Sequence, residues 1–173
     1  MSAFVTAALV VVAASLSMFS AQAQTVRIVA LGASNTAGEG VGAGSAWPAQ
    51  LQAMLRAKGY DVQIANAGIT GDDTGRMLAR LNGAVPNGTQ IVILDKPEIN
   101  DRRRGINTEA NVAAITNSLR AGNTKTIVIE SMHGWAGRRL QADGRHITAE
   151  GHAAVAARLL PLVVSAIGRP VRR

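Results

Sequence analysis

Two short segments carry residues that could perform chemistry together. The first is Val26-Arg27-Ile28-Val29-Ala30-Leu31-Gly32-Ala33-Ser34-Asn35, a buried-strand pattern with a serine just beyond its end. The second is Asp143-Gly144-Arg145-His146, near the far end of the chain and directly before a helix-like tail. A serine hydroxyl is a weak nucleophile until a base removes its proton, and a histidine held by a carboxylate is the usual base. Ser34, Asp143 and His146 therefore suggest acyl transfer through a serine nucleophile.

The elements that would bring these segments together can be read from the pattern. Val26 to Leu31 is apolar and rich in β-branched residues, so it reads as a central strand. A Gly-rich loop follows, from Gly32 to Gly44, and Ala46 to Ala57 then has helical spacing ended by Gly59. Asp61 to Ala65 reads as a second strand, followed by a loop from Asn66 to Gly71. Asp72 or Asp73 is suited to cap a helix carrying Met77, Leu78 and Leu81. Gln90 to Leu94 and Lys125 to Glu130 are the third and fourth strands. Asn107 opens a helix to about Ala121, and Thr148 opens the last helix. Alternating strands and helices imply an α/β fold, a parallel sheet of four to five strands covered on both faces. In such sheets active groups sit in loops at the carboxyl ends of the strands, where Ser34, Gly71, Asn100, Asp143 and His146 all fall.

At this level the chain resembles the SGNH hydrolases, the GDSL esterase/lipase family, from about Arg27 to Leu160. Leu31-Gly32-Ala33-Ser34-Asn35-Thr36-Ala37-Gly38 is similar to the nucleophile block, and Asn66-Ala67-Gly68-Ile69-Thr70-Gly71-Asp72-Asp73-Thr74 to the second block. Asn100-Asp101 is similar to the end of the third, and Asp143-Gly144-Arg145-His146 has the D-x-x-H spacing of the fourth. Trp47-Pro48 and the Asn66 block place the chain nearest the small bacterial thioesterase/lysophospholipase-like branch. The resemblance implies a three-layer, flavodoxin-like SGNH fold and hydrolysis of carboxylic esters, thioesters or lysophospholipids through an acyl-enzyme on Ser34. It implies an oxyanion hole formed by the Ser34 and Gly71 N–H groups and the Asn100 side chain, and it implies no cofactor. Losing one donor of such a hole costs about 2.7–4 kcal/mol.

Two departures from the family pattern stand out. Ala33 replaces an aspartate that is not the catalytic acid. Glu98-Ile99 replaces the Gly-x that precedes the third-block asparagine. A glycine there permits φ > 0, and Glu98 would also bring a negative charge toward a developing oxyanion, unless Lys96 or one of Arg102 to Arg104 neutralises it. This substitution motivates a rival expectation, an impaired relative that binds an acyl or carbohydrate ligand. A third reading, a flavodoxin-like module binding a phosphorylated ligand, rests on the Gly-rich loops alone. The stretch from Ser131 to Ala142 is short for both a helix and a fifth strand, which suggests an open cleft. His133 and Trp135 are candidates to line it, whereas His152 reads as a surface or helix-packing residue.

Composition bounds the remaining possibilities. The 173 residues suit one domain, and 47% hydrophobic content with only 3% aromatics leaves the core to Ala, Val, Leu and Ile. The absence of cysteine excludes disulfides and thiolate metal sites. Ala3 to Phe19 is uncharged and ends in Ser20-Ala21-Gln22-Ala23, so residues 1–23 are expected to be a signal peptide and 24–173 the hydrolase domain. The expected location is the periplasm or the exterior, with an uncleaved N-terminal membrane anchor as the alternative. The net charge of +7 would favour anionic partners. Arg102-Arg103-Arg104 and Arg169, Arg172 and Arg173 are not interleaved with aromatics, which argues against a nucleic-acid surface and leaves a small-molecule or lipid ester, with peripheral membrane contact, as the expected partner.

Overall fold

The computed structural model describes residues 24–168. The expected signal peptide and the tail arginines Arg169, Arg172 and Arg173 lie outside the described residues. Four parallel strands, β1 (Val26–Gly32), β2 (Val62–Gly68), β3 (Ile91–Asp95) and β4 (Lys125–Ile129), form one sheet in the order β2-β1-β3-β4. Leu31 lies beside Ala67 on one side and Leu94 on the other, and Leu94 lies beside Val128. The carboxyl ends of all four strands therefore open on the same edge of the sheet.

Alternation along the strands divides the core. Ile28, Ala30, Ile91 and Ile93 face α2 (Trp47–Ala57) and α8 (Ala149–Ile167), where Trp47, Leu51, Leu55, Val155 and Leu159 are buried. Val29, Leu31, Val92 and Leu94 face the opposite side, covered by α3 (Thr74–Ala79), α4 (Leu81–Ala84) and α6 (Thr108–Ala121) through Met77, Leu81, Ile115 and Leu119. Each buried Leu or Ile contributes about 1.5–3 kcal/mol. The four consecutive apolar residues of β3 are thus explained, since both faces of that strand are covered. Three short helices, α1 (Ser34–Ala37), α5 (Glu98–Arg104) and α7 (Met132–Trp135), sit at the carboxyl ends of β1, β3 and β4.

Local chemistry sets the ends of the long helices. Asp73 caps α3 by accepting the Arg76 N–H at 2.9 Å, and Asn107 caps α6 by accepting from Ala110 at 3.0 Å. Thr148 caps α8 through Gly151 N–H at 3.2 Å. Two elements differ from expectation. β2 runs on through Asn66–Gly68, which the sequence presents as loop, because these residues continue the ladder to Gly32. α5 was not expected, because Glu-Ile-Asn-Asp-Arg-Arg-Arg has no apolar periodicity. Its acidic first turn and basic last turn complement the helix dipole instead, and Gly105 terminates it in the left-handed region. Among the described residues there is no fifth strand, only an isolated antiparallel bridge between Leu140 and Ile147.

Of the two expectations for His152, surface or helix packing, the structure shows helix packing: the residue is fully buried on α8 against α2. Its Nδ1 accepts the Trp47 N–H at 3.1 Å, so a side chain of α8 satisfies a free donor in the first turn of α2. Burial pushes its pKa down to about 4. Since the ordinary value is near 6.5, the unfolded chain binds a proton that the native state refuses as pH falls from 6.5 toward 4. His152 therefore removes up to about 3 kcal/mol of stability across that window. The stability difference between wild type and His152→Gln, measured by urea unfolding, should shift against the wild type as pH drops from 7.5 to 4.5; a pH-independent difference would contradict the buried neutral ring.

Candidate active site

Ser34 is the first residue of α1, immediately beyond β1. The turn is very tight. A Cβ on Gly32 would lie 2.0 Å from Thr36 Oγ1, and one on Gly68 would lie 2.3 Å from the Ala37 nitrogen, so only glycine lets α1 settle onto the strand ends. As the first helical residue, Ser34 has an N–H with no acceptor inside its helix.

The fourth block is a self-supporting turn. Asp143 Oδ1 accepts the backbone N–H groups of Arg145 and His146, both at 3.0 Å, while Oδ2 contacts His146 Nδ1 at 2.5 Å. The hydrogen bonds from the His146 and Arg145 backbones hold the Asp143 carboxyl far below the usual carboxylate range. An ionised acceptor on Nδ1 keeps the proton there and leaves Nε2 as the basic nitrogen.

Asn35 joins this turn to the Ser34 turn. Its Oδ1 accepts the Ile147 N–H at 3.0 Å, and its Nδ2 donates to the Arg145 carbonyl at 3.5 Å. The Arg145 carbonyl also meets His133 Nε2 at 2.7 Å. Gln141 reinforces the tie by donating from Nε2 to the Glu39 and Ile147 carbonyls at 2.8 and 2.9 Å. The short stretch before Asp143 thus works as a strap between the Ser34 turn and the Asp143 turn. Ser34 and His146 line one cleft of about 200 Å3. His146 bonds to Asp143 and, through its backbone, to Gln141; among the described residues Ser34 Oγ is not one of its hydrogen-bond partners.

The second and third blocks are stitched to each other. Asn100 Nδ2 donates to the Asp72 carbonyl at 2.7 Å, which leaves its second amide hydrogen for the cleft that it lines. Asp101, fully buried, accepts from the Thr74 backbone and hydroxyl at 2.8 Å each and from Thr108 Oγ1 at 2.7 Å. Gly71 also lines the cleft and has φ of +77°, where a side chain would be strained. Arg104 Nη1 donates to the Gly71 carbonyl at 2.8 Å and contacts Asp73 at 2.6 Å. Arg80 spans Asp72, the Gly32 carbonyl and the Ala67 carbonyl. The two arginines fix the loop that presents Gly71.

The structure shows where Glu98 lies and what meets its charge. It is the first residue of α5 and has no positive φ, so the chain here does not use the freedom a glycine would supply. Its carboxylate lies 3.8 Å from Lys96 Nζ, which is also 3.0 Å from Glu130 and 3.6 Å from Glu109. Burial would lower the Lys96 pKa, but the hydrogen bond and charge of Glu130, with the charges of Glu109 and Glu98, outweigh it and raise it above its ordinary value. Arg102, Arg103 and Arg104 do not line the cleft; Arg104 is committed to Gly71 and Asp73. Of the two aromatic candidates, His133 lines the cleft, whereas Trp135 packs against the α2–α8 core. Sequence reasoning missed the roles of Asn35, Gln141 and Asp95. Asp95 is a buried carboxylate at the end of β3 that lines the cleft floor, and the only signal for it was an acidic residue ending an otherwise apolar run.

No protein-family model matches the chain. Among curated proteins it is similar to esterase TesA of Pseudomonas aeruginosa, 31% identical over 112 residues, which are 63% of this chain and 55% of that protein. It is also similar to an arylesterase of Vibrio mimicus, 35% identical over 79 residues, 46% of this chain and 40% of that protein. The chain thus spans about half the length of the curated relatives it matches. Among solved structures it is similar to TesA, with a TM-score of 0.72 at 22% identity over 81% of this chain and 99% of that one. The esterase EstA from Pseudoalteromonas sp. superposes with a TM-score of 0.63 at 20% identity, covering 82% of this chain and 93% of that one. AlinE4, an SGNH-hydrolase family esterase, gives 0.59 at 22% identity, covering 85% and 99%. The fold is that of the SGNH hydrolases.

Removing the Asn35 side chain should loosen the far turn. One lost hydrogen bond is worth about 1 kcal/mol, so Asn35→Ala should speed amide exchange at Ile147 about five-fold without unfolding the domain. Unchanged exchange at Ile147 would show that Gln141 alone holds the turn.

Proposed function

We propose that this chain, with the SGNH-hydrolase fold, that family's four blocks in order and relatives named esterase and arylesterase, hydrolyses carboxylic esters through an acyl-enzyme on Ser34. The observation that carries the reading is the convergence of Ser34, Gly71, Asn100 and His146 on one cleft, with Asp143 held on the far nitrogen of the imidazole.

In this mechanism His146 Nε2 takes the proton from Ser34 Oγ as the hydroxyl attacks the ester carbonyl. Side-chain rotation on substrate binding closes the Ser34–His146 contact, as is common when a free site becomes a Michaelis complex. Asp143 stabilises the resulting imidazolium and holds its orientation. The oxyanion is stabilised by the N–H groups of Ser34 and Gly71 and the second amide hydrogen of Asn100. His146 then protonates the leaving alcohol, and water regenerates Ser34 by the reverse sequence. No step calls on a cofactor.

A cleft of about 200 Å3 is smaller than the usual pocket for a drug-sized ligand. We therefore place the substrates among short-chain esters, with thioesters within reach of the same chemistry. Export, supported by the apolar segment and the Ser20-Ala21-Gln22-Ala23 ending, belongs to the same proposal.

The test is steady-state hydrolysis of p-nitrophenyl esters by the mature chain. The acetate and butyrate should be cleaved with higher kcat/KM than the palmitate. Ser34→Ala should abolish turnover, and Asn100→Ala should lower kcat by about 100-fold or more. Glu98→Gly should change kcat less than about three-fold, since the backbone there is helical and the charge is partly met by Lys96. An inert wild type restored by Glu98→Gly would instead support the impaired relative.

A further inference from the structure

Asp95 has no part in the mechanism above, yet its position is unusual. It ends β3, is only 4% exposed, and lines the floor of the cleft that holds Ser34. Thr36 Oγ1 donates to its Oδ2 at 2.9 Å, and the Ala33 backbone N–H lies close enough to the same carboxylate to favour its charged form. These donors flank Ser34, one residue before it and two after. The packing leaves no slack: a Cβ on Gly32 would lie 2.9 Å from Asp95 Cβ and 2.7 Å from Thr36 Cβ.

The charged neighbours do little to stabilise this carboxylate. His133 of α7 attracts it and Glu98 of α5 repels it, while α1 offers only the Thr36 hydroxyl and the adjacent strands offer Gly32 and Ile129. Burial dominates and pushes the Asp95 carboxyl up to about 6, against the Thr36 and Ala33 hydrogen bonds and the His133 attraction. A neutral side chain of the same shape could accept from Thr36 without this cost. A carboxylate retained where it destabilises the fold points to a task at the site.

We propose that Asp95 is a positioning residue for the nucleophile: its ionised carboxylate holds the Ala33–Thr36 turn through the Thr36 hydroxyl, with the Ala33 N–H beside it, and thereby fixes the Ser34 hydroxyl and N–H toward the cleft. Protonation places a hydrogen on one acceptor oxygen and weakens the grip, so the aligned state belongs to the ionised form. This rests on the serine-hydrolase reading.

The test compares wild type, Asp95→Asn and Thr36→Val. Asp95→Asn should melt higher than wild type at pH 8, with the gap closing toward pH 4, because only the buried carboxyl must ionise as pH rises. On p-nitrophenyl acetate its kcat should fall about ten-fold with KM within about two-fold. Its kcat/KM should decline less steeply on the acid side than that of the wild type, by about one unit of log–log slope, because the Asp95 carboxyl no longer titrates. Thr36→Val removes one grip without touching the buried charge and should lose about three-fold in kcat. Amide exchange at Ala33, followed by NMR, should quicken about ten-fold in Asp95→Asn. Wild-type kcat, slope and exchange in Asp95→Asn would overturn the proposal. If Asp95→Asn does not fold, Thr36→Val decides it by kcat and Ala33 exchange. A wild type that cleaves no ester sinks the hydrolase reading instead, and Ala33 exchange alone then decides whether the carboxylate clamps the turn.

Discussion

The hydrogen bond from the Ile147 N–H to Asn35 Oδ1 joins positions 112 residues apart, and the candidate site depends on it. Asn35 follows Ser34 and Ile147 follows His146, so this side chain, reinforced by Gln141, sets the spacing between the two turns. Each turn is rigid by itself. The Ser34 turn is pressed onto glycines of β1 and β2, and the Asp143 turn closes on its own backbone N–H groups. What remains is to dock two preformed pieces, and the parallel sheet does this by delivering every strand end to one edge.

Electrostatics around the cleft follow a division of labour. The arginines of the second layer, Arg80 and Arg104, are committed to carbonyls and to the carboxylates of Asp72 and Asp73, so they hold the Gly71 loop and do not face the substrate. Lys96, which lines the cleft, lies within 4 Å of three glutamates, so its charge is shared among them and meets part of the Glu98 charge. The groups that sacrifice stability, the buried Asp95 carboxyl and the buried His152 ring, lie respectively under the nucleophile and at a helix start. Their pH dependences have opposite sign, since the native state binds a proton at Asp95 more readily than the unfolded chain does and at His152 less readily.

Much of this organisation was legible in the chain. The strands announced themselves because both faces of β1 and β3 are covered, and the caps at Asn107 and Thr148 are of the residue types that satisfy free N–H groups. The four blocks placed Ser34, Gly71, Asn100 and His146 at strand ends, and the fold brings those residues to one cleft. What stayed hidden depends on long-range partners. α5 lacks any apolar period, so only its charge order and Gly105 marked it. The acceptor role of His152 stayed hidden, although helix packing was one of its two readings, because nothing local reveals that the Trp47 N–H, 105 residues away, needs an acceptor. Asn35 and Asp95 have ordinary residue types, and their roles appear only when β1, β3 and the last turn meet.

In the proposed mechanism the fold makes Ser34 nucleophilic through His146. Mapping the adduct formed with a fluorophosphonate, by intact mass and peptide sequencing, tests it most directly. The account predicts one phosphonyl group, on Ser34, acquired at least about 100-fold more slowly when His146 is replaced by alanine. An unmodified wild-type protein, or a label that ignores His146 or falls on another residue, would contradict it.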